Sequence, residues 1–481
     1  MALKLFKTVL FILKPKNSIM PIPVIAVFDI GKTNKKLFLF NEDYEIVFER
    51  SARFIETKDE DGDHCENLES LKSSVFDSLQ EVLKNKKFEI KAINFSTYGA
   101  SLVFVDENGI PLAPLYNYLK EYPQALKDDF YNAYGGEDAF SVESASPVLG
   151  SLNSGMQLYR KKRETPEWFS KVKYVLHLPQ YMSAIITGKM YSDITSIGCH
   201  TNLWDFQKNN YHNWLEEEGL LDKLAPIFPG NEVIKSVHPS GDYLTGVGLH
   251  DSSAALIPYL ESFREPFILI STGTWCISLN PFNHQKLTKA ELDQDCLCYL
   301  SYQGKPIKAS RIFAGFEHET EVKRIADYFN QPIGKYKTVK FDMAVLDKFL
   351  PKKDLKTYYE SLNPTDMDFA NINLDRFIND VEAYHFLIFT IVFKQFNSTQ
   401  LVLKNTLVKR IFVDGGFSKN SIYMNLLSMV FSNIEIYAAS MAQATAVGAA
   451  VAIHHHWNKK PLPTDMIALK LFVPPVKISH S

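Results

Sequence analysis

Residues 24–40 read VIAVFDIGKTNKKLFLF, and the reading of this stretch decides the fold. Gly31-Lys32-Thr33 has the look of the end of a nucleotide-binding P-loop. A P-loop also needs a glycine five residues before the Gly-Lys-Thr, so that a long run of backbone N–H groups can wrap the phosphates. Ala26 holds that place, inside an apolar run that leaves no room for a loop. Val24 to Phe28 reads as a buried strand and KLFLF as a second one. The segment Asp29-Ile30-Gly31-Lys32-Thr33-Asn34-Lys35 is short enough to join them as a hairpin. The stretch is therefore a β-hairpin whose turn region carries one acid, a glycine, small polar side chains and lysines.

A second stretch repeats this plan. Residues 267–280, FILISTGTWCISLN, are again an apolar strand, a polar turn with a glycine, and an apolar strand. Around each hairpin the pattern is that of an α/β unit. The first has a helix expected near Leu68 to Lys84, strands at KAINFST and SLVFVD, and a largely helical stretch from about Tyr122 to Leu224. The second has long helical stretches around Ala370 to Leu403, the strand RIFVDGG, the helix SIYMNLLSMVF, the strand IEIYA and the small-residue helix AQATAVGAAVAIHHH. Two such hairpins, one per half, would face each other across a cleft and offer N–H groups and hydroxyls to one polyphosphate. The expected units are residues 20–244 and 245–475, with residues 1–19 an extension or misassigned start.

Bulk properties agree with a globular protein of two or three domains. The chain has 481 residues, 46% apolar and 22% charged, as soluble domains do. A net charge of −3 argues against a nucleic-acid binder or a polybasic membrane protein. Cysteines at 65, 199, 276, 296 and 298 include no Cys-x-x-Cys pair, so neither a zinc site nor a disulfide framework is indicated, and a cytoplasmic setting is expected. MALKLFKTVLFILKPKNSI at the start is basic and apolar, but its apolar core is brief and no small-x-small cleavage site follows. No other segment approaches the ~20 apolar residues of a membrane span.

These motifs together resemble the FGGY family of carbohydrate kinases, from about residue 24 to 455. FDIGKTNKK is similar to the family's first phosphate motif and LISTGTWCISLN to its second. VDGGFSKNSIYMNLLS resembles the adenosine-binding Gly-Gly turn with its helix. ITGKMYSDITSIGCHTNLWDF resembles the stretch supporting the sugar side, and GVGLHDSSAAL the segment with the catalytic aspartate. The five occur in the family's order. The resemblance implies two tandem actin-like ATPase (ribonuclease H-like) α/β domains flanking a cleft, with ATP and Mg2+ as cofactors and a small sugar as substrate. It implies neither nucleic acid nor membrane as partner, and leaves a homodimer open.

Residue by residue, the resemblance makes Asp251 the base that takes the sugar hydroxyl's proton. A structural reading of Asp251 as a helix N-cap is compatible, because a helix N-terminus favours the ionised carboxylate that a base requires. Asp29 closes a buried strand, either as an Asx-turn acceptor or, on the family motif, holding Mg2+ through water together with Asp251. Gly31 lets phosphate approach the backbone, Thr33 and Asn34 offer donors, and Lys32 or Lys36 is expected to meet the γ-phosphate. Gly273 and Thr274 are their counterparts in the second unit. Gly415, Gly416, Ser418 and Asn420 are expected around adenosine. Near Gln443 the family often has Glu, and the small residues of AQATAVGAA are read as close helix packing.

Tyr98 and Gly99 are expected in the sugar pocket with His250. The Thr-aromatic-Gly form and the His250-Asp251 pair are most like rhamnulose and fuculose kinases, and Tyr98 would cover an apolar face such as a 6-methyl group. YNYLKE departs from the relatives' aromatic-x-Asp-x-Arg pattern, with Tyr118 about where the Asp would be. His200 reads as a satisfied structural histidine, and His454, His455 and His456 as polar surface, since neighbours on a helix do not share a face.

The expected activity is ATP-dependent phosphorylation of a ketose such as L-rhamnulose or L-fuculose, or else of another ketose or polyol of the xylulose, ribulose or glycerol type. Rivals from other classes are an actin-like ATPase switch and a silent sugar-binding protein. A switch would not need the sugar-facing Gly-x-x-Asp segment, and a silent protein would be free to lose Asp29 or Asp251.

Overall fold

Apolar side chains from Val24 to Phe28 are buried and form the middle of a mixed seven-stranded sheet. The structure, a computed structural model, describes residues 20–475 except 33, 53–54, 240, 351–353 and 364–366. The extension at residues 1–19 and the side chain of Thr33 lie outside the described residues. Strand Ile22–Ile30 pairs antiparallel with Lys35–Asn41, placing Asp29 opposite Lys36, and Gly31 N–H donates to the Asn34 carbonyl at 2.8 Å to close the turn. The hairpin expected in place of a P-loop is present.

The two sheets share one plan. In the first, the central strand Ile22–Ile30 has two antiparallel neighbours in succession on one side, Lys35–Asn41 and Ile46–Ala52. On its other side lie the parallel strand Phe88–Thr97 and, beyond it, the short parallel strands Leu244–Gly246 and Leu249–His250. In the second, Phe267–Thr272 is flanked in the same way by Cys276–Asn280 and Pro306–Ile312, both antiparallel steps. Its parallel side holds Arg410–Gly415 and then Glu435–Ser440. The duplication suggested by the two hairpins therefore extends to whole sheets. The first sheet runs past residue 244, because Leu249–His250 still pairs within it.

Helices cover both faces of each sheet. Leu68–Lys84 buries Leu68, Leu71, Val75, Leu79 and Val82, spaced three or four apart on one face, and Asn67 caps it through the Ser70 N–H. These side chains pack with Val24, Ala26 and Phe28. In the second unit the 24-residue helix Asp380–Leu403 is apolar all round; it alone among the described residues is long and apolar enough to cross a membrane, and 72% of its apolar window is buried inside the protein. The sequence expectation that no segment approaches such a span missed this helix. A helix apolar all round fits the core position it occupies. The final strand Ala468–Phe472 and the hairpin Cys296–Leu300/Pro306–Ile312 had no assignment from sequence.

Two helices join the halves. Asp251–Ser262 turns Ala254 and Ile257 toward Ile25 and Val27 of the first sheet, and Leu256 and Tyr259 toward Phe267 and Phe412 of the second. Ala444–Ala452 follows strand Glu435–Ser440 of the second sheet in sequence but packs on the first sheet, where Asn94 Nδ2 donates to the Ala449 carbonyl at 2.7 Å. A β-carbon on Gly448 would lie 1.8 Å from the Ala254 carbonyl oxygen, so only glycine permits this crossing.

Candidate active site

The strand ends that the sequence marked converge. Asp29 is in register with Ser96 on the neighbouring parallel strand, Ser96 with Leu249, and Thr97 with His250. Asp251, the next residue, opens the helix Asp251–Ser262. Its Oδ1 accepts from the Ser252 N–H at 2.6 Å and from Ser252 Oγ at 3.3 Å. Asp251 is thus the first helical residue, with His250 in the N-cap place. Burial pushes the Asp251 carboxyl up to about 6. Burial likewise raises Asp29 to about 6, opposed by a hydrogen bond from Thr445, with the Asp251 charge pushing it further up. Two acids close enough to feel each other, both short of compensating charge, are a donor set suited to a divalent cation with oxygen ligands. Asp29 and Asp251 would hold Mg2+ here.

Around Asp251 lies a cluster of neutral imidazoles and aromatic rings. His250 Nε2 is 3.3 Å from Asp251 Oδ1 and 3.4 Å from Cys199 Sγ. Its backbone N–H donates to Thr195 Oγ1 at 3.0 Å, and its ring stacks on Tyr299 of the second unit. Burial lowers His250 to about 4 and His200 and His177 to about 3, so all three are neutral hydrogen-bonding groups at neutral pH. Gly99 makes room for the His250 ring: a β-carbon there would lie 2.8 Å from its Cδ2 and Nε2. Tyr98 is 6% exposed, its ring 6.0 Å from that of Tyr118. The expected sugar-side residues Tyr98, Gly99, His250 and Asp251 are brought together, and Tyr299 joins them from a strand that sequence reading passed over.

The lysines of the hairpin take up other positions. Lys32 Nζ is 3.6 Å from Glu66 Oε1 and lies 5.4 and 5.6 Å from the ring centres of Tyr98 and Tyr118. Lys35 Nζ is 3.2 Å from Glu66 Oε2. Lys36 Nζ donates to Glu49 Oε1 at 2.6 Å. Asn34 is exposed at the turn. Glu66, 4% exposed, belongs to the short strand His64–Glu66 and carried no sequence signal.

On the second unit a cavity of about 750 Å³ opens beside the other hairpin, lined by Thr272, Gly273, Thr274, Gly416, Asn420, His318, Tyr336 and Tyr384 among others. That volume suits a nucleotide-sized ligand. Gly415, at φ +92, would place a β-carbon 2.0 Å from the Thr272 carbonyl oxygen, whereas Gly416 faces open space. Gly315, likewise, packs its α-carbon against the Gly273 carbonyl, 1.9 Å from where a β-carbon would stand, and its N–H donates to the Thr274 carbonyl. Ser418 Oγ is spent on the Gly415 carbonyl at 2.8 Å. Asn420 caps the helix Ser421–Val430 through Ile422 and Tyr423 N–H while its Nδ2 donates to Tyr384 Oη at 2.8 Å. His318 Nε2 meets the same hydroxyl at 3.1 Å. The turn residues were legible in the sequence; His318, Tyr336 and Tyr384 come from helical segments without a motif.

A short run of chain links the cavity's rim to Asp29. Gly415 and Ser440 end neighbouring parallel strands, and from Ser440 five residues lead to Thr445, at most about 18 Å of chain. Thr445 Oγ1 donates to Asp29 Oδ2 at 2.9 Å. His454, expected at the surface, is instead buried, with Nδ1 2.7 Å from Tyr44 Oη; the helix end packs inward against the first hairpin's strands, and His455 and His456 are exposed.

Comparison with known proteins agrees with this geometry. Residues 24–257 match the N-terminal domain of the FGGY family of carbohydrate kinases, and residues 264–338 the FGGY C-terminal domain. A rhamnulokinase of Mannheimia succiniciproducens is 24% identical over 265 residues, 53% of this chain and 52% of the relative. The chain therefore aligns with about half the length of that curated relative. A carbohydrate kinase from Novosphingobium aromaticivorans superposes with TM-score 0.73 at 21% identity, covering 94% of this chain and 95% of that one. Plasmodium falciparum glycerol kinase, solved with ADP, superposes with TM-score 0.70 at 16% identity over 91% and 90% of the two chains. The fold is the two-domain actin-like ATPase fold expected from the sequence.

Proposed function

We propose that this chain, which belongs to the FGGY family of carbohydrate kinases, transfers the γ-phosphoryl group of ATP to a hydroxyl of a small sugar. The observation that carries the reading is that Asp29 and Asp251 lie on either side of the end of one strand, Phe88–Thr97, close enough for the Asp251 charge to act on Asp29, while the second unit carries a nucleotide-sized cavity beside Gly273 and Gly416. The nucleotide lies in that cavity with its phosphates over the Gly273–Thr274 turn, facing the Gly31 turn. Asp251 accepts the proton of the sugar hydroxyl; the hydroxyl oxygen bonds to the γ-phosphorus as the bond to the ADP oxygen breaks. Mg2+, when bound, supplies charge neutralisation at the phosphates. Positioning and electrostatics provide most of the acceleration, and closure of the lobes excludes water, which would compete as acceptor.

The acceptor is a ketose of the L-rhamnulose or L-fuculose kind. Tyr98 and Tyr118 give the pocket apolar walls suited to a deoxy position, and neutral His250 and the Lys32–Glu66 pair supply donors and acceptors for hydroxyls. The similarity to a rhamnulokinase supports this choice; the likeness to a glycerol kinase shows the fold alone. Five free, buried cysteines suit a reducing, cytoplasmic setting. The test is ADP release with L-rhamnulose, L-fuculose, xylulose, ribulose and glycerol as acceptors. Release that depends on one of the deoxyketoses supports the reading. Sugar-independent release would favour the ATPase switch instead.

A further inference from the structure

Asp29 presents two oxygens, and the structure accounts for one of them. Oδ2 accepts the 2.9 Å hydrogen bond from Thr445 Oγ1. Among the described residues Thr445 is the one side chain that hydrogen-bonds Asp29. We propose that Thr445 is a positioning residue that fixes the Asp29 carboxylate for metal binding, the donor reaching the first unit from the helix that follows strand Glu435–Ser440 of the second.

Several features show that the contact is built rather than incidental. The helix Ala444–Ala452 is locked on the first sheet by Asn94 Nδ2 on the Ala449 carbonyl at 2.7 Å and by the Gly448–Ala254 crossing, which admits no β-carbon. Both constraints set the helix's height and rotation, and with them the place of Thr445 one turn earlier. At its start Gln443 has φ +58, a left-handed conformation that costs a side-chain-bearing residue energy and persists only where the surroundings impose it. The left-handed residue lets the chain turn from strand Glu435–Ser440 of the second sheet directly into a helix beginning at Asp29. No side chain caps that helix, and Thr445 in its first turn gives its hydroxyl to Asp29. Val at this position would keep the shape of Thr and remove the donor; Ser would keep the donor.

The inference rests on the kinase reading, and the test separates the two. Mn2+ binding to the intact protein with saturating ADP is measured by EPR for wild type, Asp29→Asn, Thr445→Val and Thr445→Ser, with thermal unfolding followed in parallel. Partners that orient a metal-binding carboxylate are worth ~10-fold or more in affinity. Thr445→Val is expected to weaken Mn2+ by about that factor at unchanged unfolding temperature, and Thr445→Ser to restore most of it. Thr445→Val binding Mn2+ like wild type, while Asp29→Asn does not, overturns the role of Thr445 and leaves the kinase reading standing. Equal binding by wild type and Asp29→Asn overturns both. Weakening by Val that Ser does not repair also overturns it, since the hydroxyl would then not be the cause.

Discussion

Asp29 and Asp251, 222 positions apart in sequence, lie at the ends of two parallel strands that flank a single shared strand, Phe88–Thr97: Asp29 is level with Ser96, and Asp251, the first residue of the following helix, comes after the residue level with Thr97. Sheet register thus brings the two residues to the same end of the sheet, the Asp251 charge acts on Asp29, and each carboxyl is pushed up to about 6 chiefly by burial.

A pH dependence follows from that pair. A base must be ionised, so kcat/KM should fall as pH drops through the region of 6. Stability should run the other way in the protein without ligand. Both folded-state values lie above the unfolded ones, so the folded chain binds more protons between about pH 4 and 6. The stabilising contribution is full below the unfolded value and is lost as pH rises through about 6. Unfolding temperatures at pH 5 and 7.5, with and without MgADP, check this: the ligand should stabilise more at the higher pH.

Asp251→Asn removes the base while leaving the second-unit cavity untouched. Turnover should fall by about 100-fold to 10,000-fold, and ADP affinity measured by calorimetry should change little.

Gly99→Ala tests the sugar side. The added carbon meets the His250 ring at 2.8 Å and must displace it, or be displaced. kcat/KM for the sugar should drop by about 10- to 100-fold, with KM for ATP near that of wild type in steady-state assays.

The lobe junction has its own test. Gly448→Val should cost about 1–3 kcal/mol or more, because the backbone of Ala254 cannot yield as a flexible side chain would. Thermal unfolding should show the loss, and Gly416→Ala, whose added carbon meets open space, should not.

Much of this was legible in the sequence because it is local. The hairpin from Val24 to Phe40, the helix Leu68–Lys84 and the strands FILIST and RIFVDGG each declare themselves through apolar period and turn residues within a short window. Asp29, Gly273 and Gly416 sit at the ends of those elements, which is why the sequence could point to them. What escaped is what depends on distant pairing. Thr445 looked like one more small residue in a packing helix, and its partner is 416 positions away. Glu66 lies on a three-residue strand with no period to read. His454 ends a helix in a run of histidines, and only the docking of that helix onto Tyr44 buries it. Lys32 was one of two lysines expected at the γ-phosphate, and its ion-pair partner Glu66 comes from another strand that the turn did not point to.

The most direct measurement is 31P NMR of a reaction containing ATP, Mg2+ and L-rhamnulose or L-fuculose, run with wild type and with Asp251→Asn. The account predicts a new sugar-phosphate resonance growing in step with ADP, with almost no inorganic phosphate, and its near-disappearance in the variant. Inorganic phosphate as the main product in both, or a sugar phosphate formed equally well without the Asp251 carboxylate, would contradict it.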